Sequence, residues 1–251
     1  MVRLARMADS IELCREKIRR AEGRLDELKA ELERFFAGGD PYDIPGEFDP
    51  KTNRFTFRFK MGEPPVVLDA IIGEVAHGLR SALNNLATAL SGTSDGKTDF
   101  PIFINETDFL TRGRAAIKRL SPVHQHAIEC LQPYQRRDPN DTPLAILNRL
   151  ARIDKHREGT FKVVADVYAN MTFNAVRDIS GYGEANLYAG VMEDGDPLAV
   201  IEIIPSGPRP EMEIHADFTA GVAFGERWTL PHPFPRLIAE VRDIVDAFAP
   251  P

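Results

Sequence analysis

The apolar positions around Ile71–Leu90 fix the first element. Leu68, Ile72, Val75, Leu79, Leu83, Leu86 and Leu90 recur at helical spacing and predict an amphipathic helix. The other stripe of that helix holds Gly73, His77, Arg80, Ser81, Asn84 and Thr88. Exposed helical faces are usually filled with Lys and Glu, so small neutral residues around a single arginine point to close helix packing or to a site. An earlier helix, capped by Asp9 or Ser10, runs to about Ala37 and stops at Gly38-Gly39. Ile11, Cys14, Ile18, Ala21, Leu25, Leu28, Leu32 and Phe35 alternate steps of three and four along it, a heptad seam flanked by charged faces. One narrow stripe must therefore be buried, and docking on the Ile71–Leu90 helix is expected ahead of a homodimer seam.

The pattern then changes. Phe48-Asp49 and Arg54–Lys60 flank a turn at Pro50–Asn53, with Phe55, Phe57 and Phe59 on one face and Arg54, Arg58 and Lys60 on the other. Alternating aromatics and cations can stack nucleic-acid bases, but because the two classes point to opposite faces an amphipathic hairpin laid over the core is the expected reading. Shorter helices follow near Glu106–Leu120 and Ser121–Leu131, and one from Pro143 to about Arg157 is capped by Thr142 or Asp141. Beyond Gly159 the segments MTFNAVRDIS, NLYAGVME, LAVIEIIP and EMEIHADFTAGVAFG read as an antiparallel meander, while FKVVADVYAN fits either strand or helix. A last helix places Phe234, Leu237, Ile238, Val241, Ile244, Val245 and Phe248 on one face. The expected class is α+β: a helical bundle over 1–157 with a β-hairpin near 47–60, then an antiparallel sheet plus closing helix over 158–251, packed as one unit with the bundle.

With 251 residues the chain can bury a core without disulfide or metal staples. Two distant cysteines, Cys14 and Cys130, together with the lack of a signal-like or membrane-spanning apolar run, point to the cytoplasm and away from a membrane. A net charge of −7 argues against a surface that grips nucleic acid as a whole. Arginine outnumbers lysine 23 to 8, which reads as compositional bias ahead of a preference for planar recognition of phosphate or carboxylate.

Most familiar motifs are missing. Gly92-Thr93-Ser94-Asp95-Gly96 spells a nucleophile elbow but follows a helix instead of a strand, so it reads as a helix C-cap and turn. His126 and Cys130 share a helix face beside His124, yet two ligands do not make a metal site, and no metal or cofactor is expected. Phosphate loops and dinucleotide fingerprints are absent from the sequence.

The helix LNRLARIDKHRE carries the remaining candidates. Arg149, Arg152 and His156 fall on one side, whereas Asp154 lies with Leu147 and Leu150 on the apolar side. A carboxylate there calls for a cation, and Arg80 is the expected partner across the two helices. HGLRSALNNLATAL, FPIF, LSPVHQHAIECLQPYQ and PLAILNRLARIDKHRE, spread over the first two-thirds of the chain, resemble an uncharacterised bacterial protein family with a Leu-Arg-Ser-Ala-Leu helix and an Arg-Ile-Asp-Lys-His-Arg helix. That family implies no activity. The helices also resemble, more distantly, the HEPN superfamily of nucleotide-binding or RNA-cleaving bundles, in which an arginine is followed within a turn or two by a histidine. Arg119 and His124 keep such a spacing, but Asn85 stands where the resemblance calls for the histidine after Arg80.

The function expected is a non-catalytic ligand- or partner-binding module with Arg80, Asn84, His77 and Asp154 as binding or structural residues. The alternative is a HEPN-like, metal-independent ribonuclease or nucleotide-binding protein using His156 with Arg149 and Arg152, His as acid or base and Arg on the phosphorane. Incubating structured and single-stranded RNA in EDTA with wild type and His156→Ala separates the two. The expected outcome is no cleavage that the substitution abolishes, and cleavage lost in a variant of unchanged thermal stability would establish the enzyme.

Overall fold

The heptad seam and the Leu-rich stripe become the two longest helices, α1 (Val2–Ala37) and α2 (Val66–Ser91), in a computed structural model. The structure describes residues 2–37, 42–62, 65–93, 98–156, 161–188, 190–224 and 228–249, with the side chains of 2–6, 153–156, 161–170, 190–191, 216–224 and 228–229 outside the description. Two compact units result, one of Met1–Glu31, Val66–Gly159 and Pro231–Pro251, the other of Leu32–Pro65 and Thr160–Leu230.

In the first unit α2 is the hub. Its buried side chains include Leu68, Ile72, Val75, Leu79, Leu83 and Leu86, and at about 1.5–3 kcal/mol for each fully buried aliphatic this stripe is a principal source of the unit's stability. The seam of α1, from Ile11 to Leu28, is buried as well. Three contacts join it to α2: Cys14 Sγ donates to the Ala82 carbonyl at 3.3 Å, Lys17 Nζ to Ser81 Oγ at 2.5 Å, and Arg24 pairs with Glu74 at 2.7 Å. Burial pushes the Cys14 thiol up to about 11, which leaves it inert.

Shorter helices complete the unit. α3 (Glu106–Asp108) runs through a π turn at Phe109–Gly113 into α4 (Arg114–Ile117). The Ser121 hydroxyl accepts from the His124 N–H to cap α5 (Pro122–Cys130), and Thr142 Oγ1 accepts from the Ala145 N–H at the start of α6 (Pro143–His156). α2 ends in Gly92 at φ 67°, the left-handed cap expected of that position; Ser94 to Gly96 lie outside the described residues. The closing helix α7 (Pro233–Ala247) turns Phe234, Leu237, Ile238, Val241, Ile244 and Val245 inward and packs against α2 and α6. It is tied to α1 through Arg15–Asp246 at 2.8 Å and Arg242–Glu22.

The second unit consists of strands that are antiparallel throughout. β1 (Tyr42–Asp43) pairs with β4 (Lys60–Met61). β2 (Gly46–Asp49) and β3 (Arg54–Arg58) form the expected hairpin, whose turn holds Asn53 at φ 53° and is braced by Asp49, which accepts from the Lys51 N–H and the Thr52 hydroxyl. FKVVADVYAN resolves to strand within β5 (Phe161–Arg177). The others are β6 (Ile179–Leu187), β7 (Gly190–Met192), β8 (Pro197–Pro205), β9 (Glu211–Phe224) and β10 (Trp228–Thr229). Neighbours in space are not always neighbours in sequence: one sheet runs β2-β3-β8-β6 and the other β10-β9-β5-β7. Phe55, Phe57, Ala199, Ile201 and Ile203 of the first sheet share a core with Met212, Phe173 and Ile214 of the second. The chain passes between the sheets at Asp178, φ 55°, which accepts the Ser206 N–H on its carbonyl and the Arg209 N–H on its carboxylate. A Cβ at Gly207 would run into that carboxylate, so any side chain there would have to displace Asp178.

The division expected at 157/158 is corrected. The hairpin belongs with the sheets, because Phe55 and Phe57 share a core with residues of β8 and β9; the closing helix belongs with the bundle, where its apolar stripe meets α2 and α6. Among the described residues no helix is long and apolar enough to cross a membrane. Because α1 covers one side of α2, deletion of residues 1–37 is expected to give an aggregating, poorly folded remainder by size exclusion and thermal melting. A soluble, cooperatively melting truncation would contradict that role.

Candidate anion-binding site

Three of the arginines singled out in the sequence meet in space. Arg80 of α2 and Arg149 and Arg152 of α6 line one cavity of about 770 Å³, a size suited to a small organic ligand. The wall is completed by an irregular strap, residues 98–104, and by Arg112 of the π turn. Two amides pin the strap to the bundle. Asn84 Oδ1 accepts the Phe100 N–H at 3.1 Å, and the fully buried Gln132 accepts the Phe103 N–H at 3.0 Å while donating to the Pro101 carbonyl at 2.9 Å. These bonds satisfy main-chain groups that no helix or sheet serves.

Arg80 is the unusual member. Its Nη1 is buried and has no hydrogen-bond partner among the described residues. Burial pushes the guanidinium below its usual pKa, with the charge of Asp99 working the other way, but an arginine stays protonated under any ordinary condition. A half-buried cation with one buried, unmet donor has the chemistry to seat an oxyanion. Among the described residues the lining holds four arginines and two aspartates, Asp99 and Asp108, the latter paired with Arg112.

The remaining candidates divide. Asn84 acts on the strap and does not itself line the cavity. His77 is exposed and lines no part of it. The side chains of Asp154 and His156 lie outside the described residues, so the expected Arg80–Asp154 pair does too. His126 Nε2 and Cys130 Sγ do approach, at 3.7 Å, but among the described residues no group of three or more potential metal ligands forms. Phe55, Phe57 and Phe59 are buried and offer no stacking platform.

Sequence reasoning missed Asp99, Arg112, Asn140 and Asn148. One signal was present: Phe100-Pro-Ile-Phe103 is an apolar run in a Gly/Asp loop, which has to pack on something. Arg112 gave none, since the π turn that presents it leaves no mark in the helical period. Comparisons of the chain with protein-family models, with curated proteins and with solved structures found no match.

A buried donor without a partner among the described residues lowers stability. Replacing Arg80 by methionine, which fills similar space with no unmet donor, is expected to leave the fold unchanged or stabilise it by about 1–3 kcal/mol in urea denaturation. A loss of about 3 kcal/mol or more would reveal a buried counter-ion such as Asp154.

Proposed function

We propose that the protein is a non-catalytic, cytoplasmic binding module whose ligand is a small phosphate-bearing anion, with its oxyanion on Arg80, Arg149 and Arg152. The observation that carries this reading is the buried Arg80 Nη1, which has no hydrogen-bond partner among the described residues, in the wall of a cavity that Arg149 and Arg152 also line. Guanidinium forks match tetrahedral oxyanions, and each charge-assisted hydrogen bond contributes about 1.5–3 kcal/mol. A second reading, HEPN-like cleavage of RNA or nucleotide binding, draws support from the same juxtaposition of Arg149 and Arg152; there His156 is the proposed base, and the RNA assay above decides it.

Titration calorimetry of the full chain with pyrophosphate, ribose 5-phosphate and AMP tests the binding reading. Saturable binding by at least one is expected, weakening as salt rises, lost in Arg80→Met and reduced about tenfold or more in Arg149→Ala and Arg152→Ala. No binding by any of them, or equal binding by Arg80→Met, would overturn it.

A further inference from the structure

Away from the arginine cavity, α5 turns an uncharged face to solvent. Val123, His126, Ala127 and Cys130 fall at i, i+3, i+4 and i+7 and so share one stripe of the helix. Val123 is 75% exposed, and His126 and Cys130 are exposed beside it. His124, the other histidine of α5, is turned away and meets the Phe248 ring edge-on with centroids 5.8 Å apart. Glu129, the carboxylate that flanks the stripe, is held by Arg114 at 3.2 Å and by the Tyr134 hydroxyl at 3.3 Å. The polar groups left facing outward are an imidazole and a thiol, with His126 Nε2 and Cys130 Sγ 3.7 Å apart. Two ligands on one tetrahedral zinc, sulfur at about 2.3 Å and nitrogen at about 2.0 Å from the metal, stand about 3.5 Å from each other. The pair is thus already spaced to share a metal.

We propose that His126 and Cys130 are half of a tetrahedral zinc-type site that a second copy of the chain completes, with the α5 helices of the two copies antiparallel across a two-fold axis. Among the described residues no third ligand joins the pair, so a metal on a lone copy is short of the four ligands that a closed site uses. Two ligands do not make a site in one chain, but two chains supply four. An isologous interface repeats its own contacts, so an axis passing between His126 and Cys130 brings the second imidazole and thiolate to the same point. The rest of the stripe suits that approach: Val123 of each copy becomes covered, and Ala127 puts no long side chain beside the ligands. Imidazole and thiolate together select a borderline-soft cation such as zinc over magnesium or calcium. As each metal–sulfur bond forms, the Cys130 thiol gives its proton to solvent. No residue of α5 lines the arginine cavity, so this site stands or falls independently of anion binding.

Cobalt(II), which takes the place of zinc in tetrahedral sites and is visible there, tests the proposal on the full chain kept reduced with a phosphine. The titration is expected to show the visible bands of tetrahedral cobalt and a near-ultraviolet thiolate charge-transfer band, saturating at one cobalt per two chains. Light scattering after size exclusion should read a doubling of mass that needs the metal, with zinc displacing the cobalt and EDTA restoring the single chain. Cys130→Ser and His126→Ala, both at exposed positions, should melt as wild type does without metal; the first loses the thiolate band and neither doubles in mass. Val123→Glu keeps both ligands but puts a charge on the face, and it should bind cobalt more weakly and stay single. Failure to bind, cobalt bound without a thiolate band, saturation at one metal per chain, or a mass that does not depend on metal would overturn the shared site. Metal-driven doubling that survives Cys130→Ser or His126→Ala, or a wild-type response in Val123→Glu, would overturn it as well.

Discussion

Burial of α2 is the constraint around which the first unit is organised. From Ser81 to Ser91 this helix carries no charged residue, and its leucines and alanines are buried nearly to the end. A helix apolar over so much of its circumference cannot rest on one neighbour, and α1, α6 and α7 each take part of it. Arg80 is the last charge before that stretch. It sits where the covering changes from helix to strap, and so it is drawn inward without being sealed into the core.

The strap is the second consequence. An irregular segment laid against a helical bundle brings main-chain donors and acceptors that would be costly to bury unmet. Asn84 and Gln132 meet them, and this accounts for much of the neutral polarity on α2: Ser81 accepts from Lys17 of α1, Asn84 holds Phe100. The small-residue face thus serves two packing tasks, and Arg80 is the residue on it that packing does not explain. A polar group kept buried without a partner reduces stability, and the Arg80 Nη1 has none among the described residues.

The second unit obeys a different rule. Each of its sheets needs an apolar face covered, and the two faces cover one another, Phe55, Phe57 and Ile201 from one side and Met212, Phe173 and Ile214 from the other. The passage at Asp178 places a residue other than glycine in the left-handed region, a local cost that lets one continuous stretch of chain serve both sheets.

What the sequence determined by itself is what depends on local periodicity: the buried stripes of α1, α2 and α7, the caps at Ser121 and Thr142, the hairpin turn, and the separation of its phenylalanines from its cations; the start of α1 was not among these, since the helix begins at Val2 and not at a cap on Asp9 or Ser10. It also placed Arg149 and Arg152 on one side of a helix and marked Arg80 as out of keeping with its face. Only the tertiary structure decided what each buried stripe is buried against. The apolar faces of the hairpin and of α7 announce that they must be covered, but any apolar partner satisfies that demand, and the hydrophobic effect carries no address. For the same reason the cavity was not legible. Arg112 enters it through a π turn that breaks the helical period, and Asp99 through a strap with no period at all, so their meeting with Arg80 and Arg149 is a property of the assembled bundle.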